Sequence, residues 1–385
     1  MKLLTKLKSS TSSPRRQQFF NLMVFFLAYV WPRKFSLSVL KPHLLSQGLS
    51  LQQLMLGTTF VFLGAVILIL AIKRINSKNS WRLAIISAFT FILLITKIVH
   101  PYQYYLATII SGFSIIFYFV PYNIVHFQLT PTHRTGLSSA IFFSVHPIIS
   151  LFAPLLAGFL AQQSYSWIWV LSGIFYFLTF SLVKYQKSFN INYQIKSSFK
   201  AIKATRVFIF LQGIWESLVF GIIPIFSLFF IKSPLHYGTY MAYLALMGIL
   251  ANLSLGRLTD KLQKRTIFLY PLTIILGITT LLFPLSLKSI FWWIIITGVI
   301  QFFLPLFWNV STAMVIDSHT NVKQVIPVRE LLLSLGRVLG LSLAFINFQF
   351  ESRPTIIFYF LGSIMFLYPL ILFYNTKISK KYTYL

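Results

Sequence analysis

The side chains able to do chemistry in this sequence are few, and most are charged groups set in apolar surroundings. Glu216 lies about ten residues inside the apolar stretch 207–231, roughly 15 Å deep at 1.5 Å per helical residue. Arg33 and Lys34 lie in the stretch 18–40, and Arg337 lies about ten residues into 327–348. An ionisable group in hydrocarbon costs about 2.5–3.5 kcal/mol on insertion scales, so it usually faces a cavity or a partner. Glu216 is open to three functional roles: a proton carrier, a countercharge for Arg33, or a ligand for a cationic solute. The alternative is a structural ion pair. Arg33 and Lys34 could also extend outward to the interface. Arg337 has Asp317 and Glu330 as candidate partners, and Glu330, Ser334 and Arg337 share a helix face by their spacing. His146 beside Pro147, and His126 after Pro121-Tyr122-Asn123, add polarity that packing explains more simply than a proton relay.

The chemistry that is missing narrows the field. There is no cysteine, and no metal-ligand cluster, glycine-rich phosphate loop or Ser-His-Asp arrangement stands out. The expectation is no catalytic residue, no cofactor and no metal. Without a P-loop any pumping must be secondary.

The elements that must hold these groups follow from composition. The 385 residues are 57% hydrophobic and only 10% charged, with mean hydropathy +0.78. A soluble domain carries about 25% charged residues to wet its surface. Apolar residues fall in blocks of about 20, the length of a helix that crosses about 30 Å of hydrocarbon. Boundaries at charge and Pro/Gly/Asn clusters give spans at 18–40, 52–72, 82–99, 102–125, 136–161, 165–183, 207–231, 237–256, 266–284, 289–315, 327–348 and 354–374. The expected fold is an all-α membrane protein of twelve transmembrane helices. The basic run before Phe19 lacks a small-x-small cleavage site and reads as the flank of an uncleaved first helix. Trp81 and the pair Trp292-Trp293, near span ends, read as interfacial anchors.

The net charge of +28 would suggest nucleic acid in a soluble chain, but its distribution is a topology signal. An even number of spans puts both termini on one side. With the termini inside, 25 of the 33 Lys and Arg fall in inner segments. Five fall in outer loops: Lys41, Lys97, Lys232, Lys288 and Arg353. That bias sets both termini in the cytoplasm and suits a plasma-membrane protein. The basic stretch 184–206 follows span six and divides the chain into six spans and six. The expected organisation is a first half at 1–190, a basic cytoplasmic linker at 191–206 and a second half at 207–385.

After span eight comes Gly256-Arg257-Leu258-Thr259-Asp260-Lys261-Leu262-Gln263-Lys264-Arg265. This segment resembles the loop signature of the major facilitator superfamily: a glycine, an aspartate four residues on, then basic residues. Position, span number and central basic loop agree with that resemblance. On its own physics, Gly256 allows a close approach or a tight exit, and Asp260 can accept N–H bonds at a helix N-terminus. Arg257, Lys261, Lys264 and Arg265 can sit at anionic headgroups. The first-half counterpart, Lys73-Arg74-Ile75-Asn76-Ser77-Lys78, lacks both the glycine and the aspartate. In span five, Ala153-Pro154-Leu155-Leu156-Ala157-Gly158 is similar to the family's exporter motif with alanine at two glycine positions.

The resemblance implies a secondary transporter that moves a small solute by alternating access, with proton-coupled efflux as the finer expectation. Its partners would be solute, membrane lipid and protons rather than nucleic acid, and it would act as a monomer. Spans one and seven would line the cavity. The resemblance also implies a gate in which Asp260 meets the helix start at Thr135, with Arg134 in reach. Glu330 would pair with Lys73 or Arg74 on the other side. The alternative from another class is a transporter-like receptor or assembly factor without turnover.

Overall fold

The structure is a computed structural model that describes the backbone of residues 14–129, 135–203, 205–261, 265–317 and 321–374. Among the described residues nine helices are long and apolar enough to cross a membrane, and two shorter apolar helices accompany them. The first crossing combines α1 (Pro14–Ser38) and α2 (Leu40–Ser46). Pro32 inside α1 withdraws one backbone donor. The crossing runs to Ser46, past the boundary read from the sequence at residue 40. Lys41 therefore belongs to a span and not to an outer loop, which corrects the sequence assignment.

Helix α3 (Leu51–Ala71) starts with a capping box. Gln53 N donates to Ser50 Oγ at 3.2 Å, and Ser50 N donates to Gln53 Oε1 at 2.8 Å, which satisfies two donors at the helix start. The following helices are α4 (Ser77–Ile95), α5 (Pro101–Leu129), α6 (Thr135–Gln163) and α7 (Tyr165–Leu182). After the linker come α8 (Ile195–Ala201) and α9 (Arg206–Ser217). A π turn (Leu218–Ile222) separates α9 from α10 (Ile223–Phe226). The chain ends with α11 (Pro234–Lys261), α12 (Leu269–Leu281), α13 (Phe283–Ser286), α14 (Ile290–Asp317), α15 (Val322–Phe350) and α16 (Ile356–Phe373).

Helix pairing repeats along the chain. Helix α1 packs on α6 and α7, α3 on α5, and α4 on α7. The same scheme recurs with α9 on α15 and α16, α11 on α14, and α12 on α16. The most extensive contacts between early and late helices are those of α6 with α11 and of α3 with α15. The α6–α11 contact is close because both sides are glycine. A methyl at Gly158 would lie 3.0 Å from Pro234 O and 3.3 Å from Gly238 Cα. Ala153 and Ala157, the small residues of the exporter-like motif, are fully buried on α6. The outward faces are apolar, as with Trp167, Val170, Ile174 and Phe177 on α7. Such a surface has no place in water and is what hydrocarbon contacts. The protein is a multi-pass membrane protein.

One feature is additional to the helices and one expectation fails. Strand β1 (Arg74–Asn76) pairs antiparallel with β2 (Asn190–Asn192) in the register Arg74↔Asn192, Ile75↔Ile191 and Asn76↔Asn190. Tyr193 N donates to Lys73 O at 3.2 Å. Its hydroxyl donates to Ile69 O at 2.7 Å and Ile72 O at 2.6 Å, so it also covers carbonyls at the end of α3. Burial pushes that hydroxyl up to about 12, which keeps it a donor at neutral pH. Trp81 and Trp293 are not interfacial anchors, because both are fully buried. Trp81 packs edge-on against Phe25 and Phe189. Trp293 Nε1 donates to Ser227 Oγ at 3.1 Å. Trp292 alone keeps an exposed ring.

Candidate functional site

Two charged residues of the late helices, Glu216 and Arg337, form a closed assembly. Glycines on α9 and α15 bring these two helices together. A methyl at Gly336 would lie 2.6 Å from Ile214 N, and one at Gly340 would lie 2.6 Å from Ile214 O. Only glycine permits that approach, and it sets Glu216 against Arg337. Glu216 Oε2 accepts from Arg337 Nε at 2.8 Å and from Nη2 as well. Its Oε1 accepts from Gln212 Nε2 at 2.8 Å, one turn back on α9, and from Trp308 Nε1 of α14 at 2.7 Å. Four donors thus fill the approximate capacity of one carboxylate. Each of them is a donor in this arrangement, so a proton can join the carboxylate only after one has left.

Energetics agrees with closure. Glu216 is 1% exposed and Arg337 9%. A buried charge without its partner costs several kcal/mol, and Arg337 offsets it with two N–H groups that converge on Oε2. Arg337 also lies 4.7 Å from the Phe220 ring centre and 5.1 Å from that of Phe62, on α3. Phe220 stacks on Trp308 at 5.8 Å and is itself 39% exposed. The pair therefore sits behind an aromatic wall. The π turn that carries Phe220 begins two residues after Glu216. Such turns are frequent at functional sites in helices.

These contacts decide between the expected pairings. Glu216 is the countercharge of Arg337, not of Arg33, and Glu330 is not the hydrogen-bonded carboxylate of Arg337, whereas the side chain of Asp317 lies outside the described residues. Glu330 pairs with the adjacent Arg329 at 2.8 Å. Arg329 Nη2 donates to Thr312 Oγ1 at 3.0 Å. The expected link from Glu330 to Lys73 or Arg74 is absent, because those residues are held in the ladder with β2, where both stay exposed.

The early helices carry a different arrangement. Arg33 Nη1 donates to Ser114 Oγ at 2.9 Å, and Tyr29 OH donates to Ser114 O at 3.1 Å. Tyr29 stacks on Tyr118, which stacks in turn on Tyr122. Lys34 follows Arg33 on α1. Lys41 Nζ donates to Thr58 Oγ1 at 2.6 Å, and Thr58 Oγ1 donates on to Leu54 O at 2.8 Å. Thr58 also borders the π turn, since a methyl at Gly221 would lie 3.4 Å from its Cγ2. Lys41 is thereby one residue away from the late helices.

Lys41, Gln212 and Trp308 are the site residues that sequence reasoning missed. The spacing of Gln212 at four before Glu216 was a usable signal, and so was that of Lys41 at seven after Lys34. Nothing local pointed to Trp308. The proposed gate lies largely outside the described residues. Arg134 is among the undescribed positions, as are the side chains of Gly256, Arg257, Asp260, Lys261 and Arg265. The backbone of α11 stays helical to Lys261, so the first part of the signature continues span eight. The side chain of His146 is likewise not described, whereas His126 is buried against Tyr122.

A cavity of about 140 Å³ opens where the loops gather. Gln18 and Asn21 of α1, Gln128 of α5, Lys187 before β2 and Lys323 of α15 line it, so both early and late helices contribute.

No protein-family model matches the chain, and no curated protein does. Its fold does match solved structures. A mutant of the nucleoside transporter NupG superposes with TM-score 0.67 at 10% identity, covering 92% of this chain and 99% of that one. A second structure of NupG gives TM-score 0.63 at 11% identity with the same coverage. The chain has the fold of these two transporter structures.

Proposed function

We propose that this chain is a secondary transporter that moves a small solute by alternating access between two six-helix halves. The halves are residues 1–190 and 207–385, joined by the linker 191–206, with twelve spans in all. The observation that carries this reading is the buried Glu216–Arg337 pair beside a π turn in span seven, within a transporter fold. An ion pair at that depth is costly to build and is most simply kept for function. Both termini are cytoplasmic in a plasma membrane, by the basic bias of the loops.

The coupling we propose is a partner exchange at Glu216. Protonation requires Arg337 or another donor to leave, and a departing Arg337 disturbs the α9–α15 contact and the wall of Phe62 and Phe220. A proton would thus be exchanged for a change in packing between α15 and α3. The α6–α11 contact at Gly158 and Gly238 would act as the closed side of the gate. The motif residues at Gly256–Arg265 and Arg134 would act at the other side.

The test is flux in proteoliposomes with and without a pH gradient. Glu216→Gln should lose gradient-driven accumulation while solute exchange persists. Accumulation that survives in Glu216→Gln would remove the proton role. The saturation of Glu216 by four donors favours a second reading, a receptor or assembly factor with no turnover. A stable wild-type protein with no flux for any solute class would select it.

A further inference from the structure

Among the described residues, positive charge in the first crossing has nothing of opposite sign paired with it. The five acids are Glu216, Asp260, Asp317, Glu330 and Glu351, so residues 1–215 contain none. The three described carboxylates are committed elsewhere. Glu216 is held by Arg337, and Glu330 by Arg329. Glu351 accepts from Thr355 N and Oγ1 at 2.7 and 3.0 Å. Yet the crossing Gln17–Ser46 carries Arg33, Lys34 and Lys41. What Arg33 and Lys41 touch are the hydroxyls of Ser114 and Thr58, which are dipoles and not anions. Lys34 forms no hydrogen bond or ion pair among the described residues.

They share one crossing. Arg33 and Lys34 are neighbours on α1, and Lys41 follows on α2, after the helix is interrupted at Val39. Tyr104 OH adds a further polar group near Lys41, because it donates to the same Leu54 carbonyl as Thr58 does. Across the contact with the late helices stands a closed Glu216–Arg337 pair of zero net charge. The described charges of the central spans thus sum to an excess of cations, with hydroxyl donors around them. Cations in this setting are expensive unless an anion joins them.

We propose that the solute is an anion whose carboxylate or phosphate is neutralised by Arg33, Lys34 and Lys41. A cationic solute would meet three repulsive charges and a glutamate already filled by four donors. This inference rests on the transporter reading for the word solute, but the anion site can be tested apart from flux.

The experiment is thermal unfolding of the purified full chain in neutral detergent, with uridine 5′-monophosphate, succinate or uridine as probes. At least one anionic probe should raise the unfolding midpoint, and uridine should not. In Arg33→Gln and Lys34→Gln the apparent affinity for that anion should fall about 10- to 100-fold, as expected for losing a charged hydrogen bond. Without any probe, Lys34→Met should unfold at the same temperature as the wild type or higher, since it removes an uncompensated charge. Lys41→Arg, which keeps the charge, should retain the anion response.

A lower midpoint for probe-free Lys34→Met would show that Lys34 already has a partner and would overturn the proposal. So would a response to uridine alone. Stabilisation by phosphatidylglycerol in place of the soluble anions, lost in the same variants, would assign the cluster to a lipid headgroup and overturn the solute reading. A chain stabilised by an anion but without flux keeps the anion site and loses transport. One that carries uridine unaltered in Arg33→Gln and Lys34→Gln keeps transport and loses the anion site.

Discussion

The first and seventh crossings occupy matching places in the helix-pairing scheme, yet they handle buried charge in opposite ways. The seventh encloses one glutamate among four donors and ends with no net charge. The first carries three cations, two of them on hydroxyls, and none is paired with a carboxylate among the described residues. The difference teaches that a repeated scaffold does not require repeated electrostatics. One side holds a finished pair, and the other holds a demand that something from outside must meet. The loops show the same division. The signature sequence follows span eight, whereas the loop after span two, which lacks it, is fixed by backbone pairing to the linker.

The largest expected effect breaks the finished pair. Arg337→Leu leaves Glu216 with an uncompensated charge, so stability should fall by about 3–5 kcal/mol. Thermal unfolding of the purified protein measures it, and the joint change of Glu216→Leu with Arg337→Leu should recover most of the loss. If Arg337→Leu alone unfolds like the wild type, the two crossings do not differ as described. Next comes the ladder that replaces the missing signature. Ile191 is fully buried in β2, and Ile191→Ala should cost about 2–5 kcal/mol. Faster proteolysis in the linker would accompany it, and an unchanged cleavage rate would mean the ladder contributes little. The smallest effect sharpens the role of the aromatic wall. Trp308→Phe keeps the ring but removes one donor to Glu216, for a loss of about 1.5–3 kcal/mol. If Trp308→Phe shifted the unfolding midpoint as much as Arg337→Leu does, the tryptophan and not the arginine would be the principal partner.

How far the sequence was legible depended on how local each feature is. Crossing helices declare themselves by length and hydropathy, and charged residues inside them are conspicuous, so Arg33, Lys34, Glu216 and Arg337 stood out at once. Their pairing did not. Glu216 and Arg337 are 121 positions apart, and their meeting depends on Gly213, Gly336 and Gly340 letting two backbones approach. Lys41 was misassigned because charge itself served as the boundary marker for spans. A lysine inside a crossing then looks like the end of a helix. Trp81 and Trp293 were misread for a related reason: position near a span end suggests an anchor, but burial is a property of the neighbours. The ladder was invisible because its strands are three residues long and sit in basic, polar segments.

That ladder also changes how much chain is free between the two sides of the protein. Residues up to Tyr193 are fastened to the end of α3, and α9 begins at Arg206. The rest of the linker is fastened as well, but to the other side: α8 packs on α15, and Ile202 is fully buried with Ile209, Val325 and Val328. The basic segment 184–206 counted from the sequence is therefore no loose tether. Its first part is tied to α3 through Tyr193 and its second part to α15 through α8. The joint between the two attachments is the single residue Gln194.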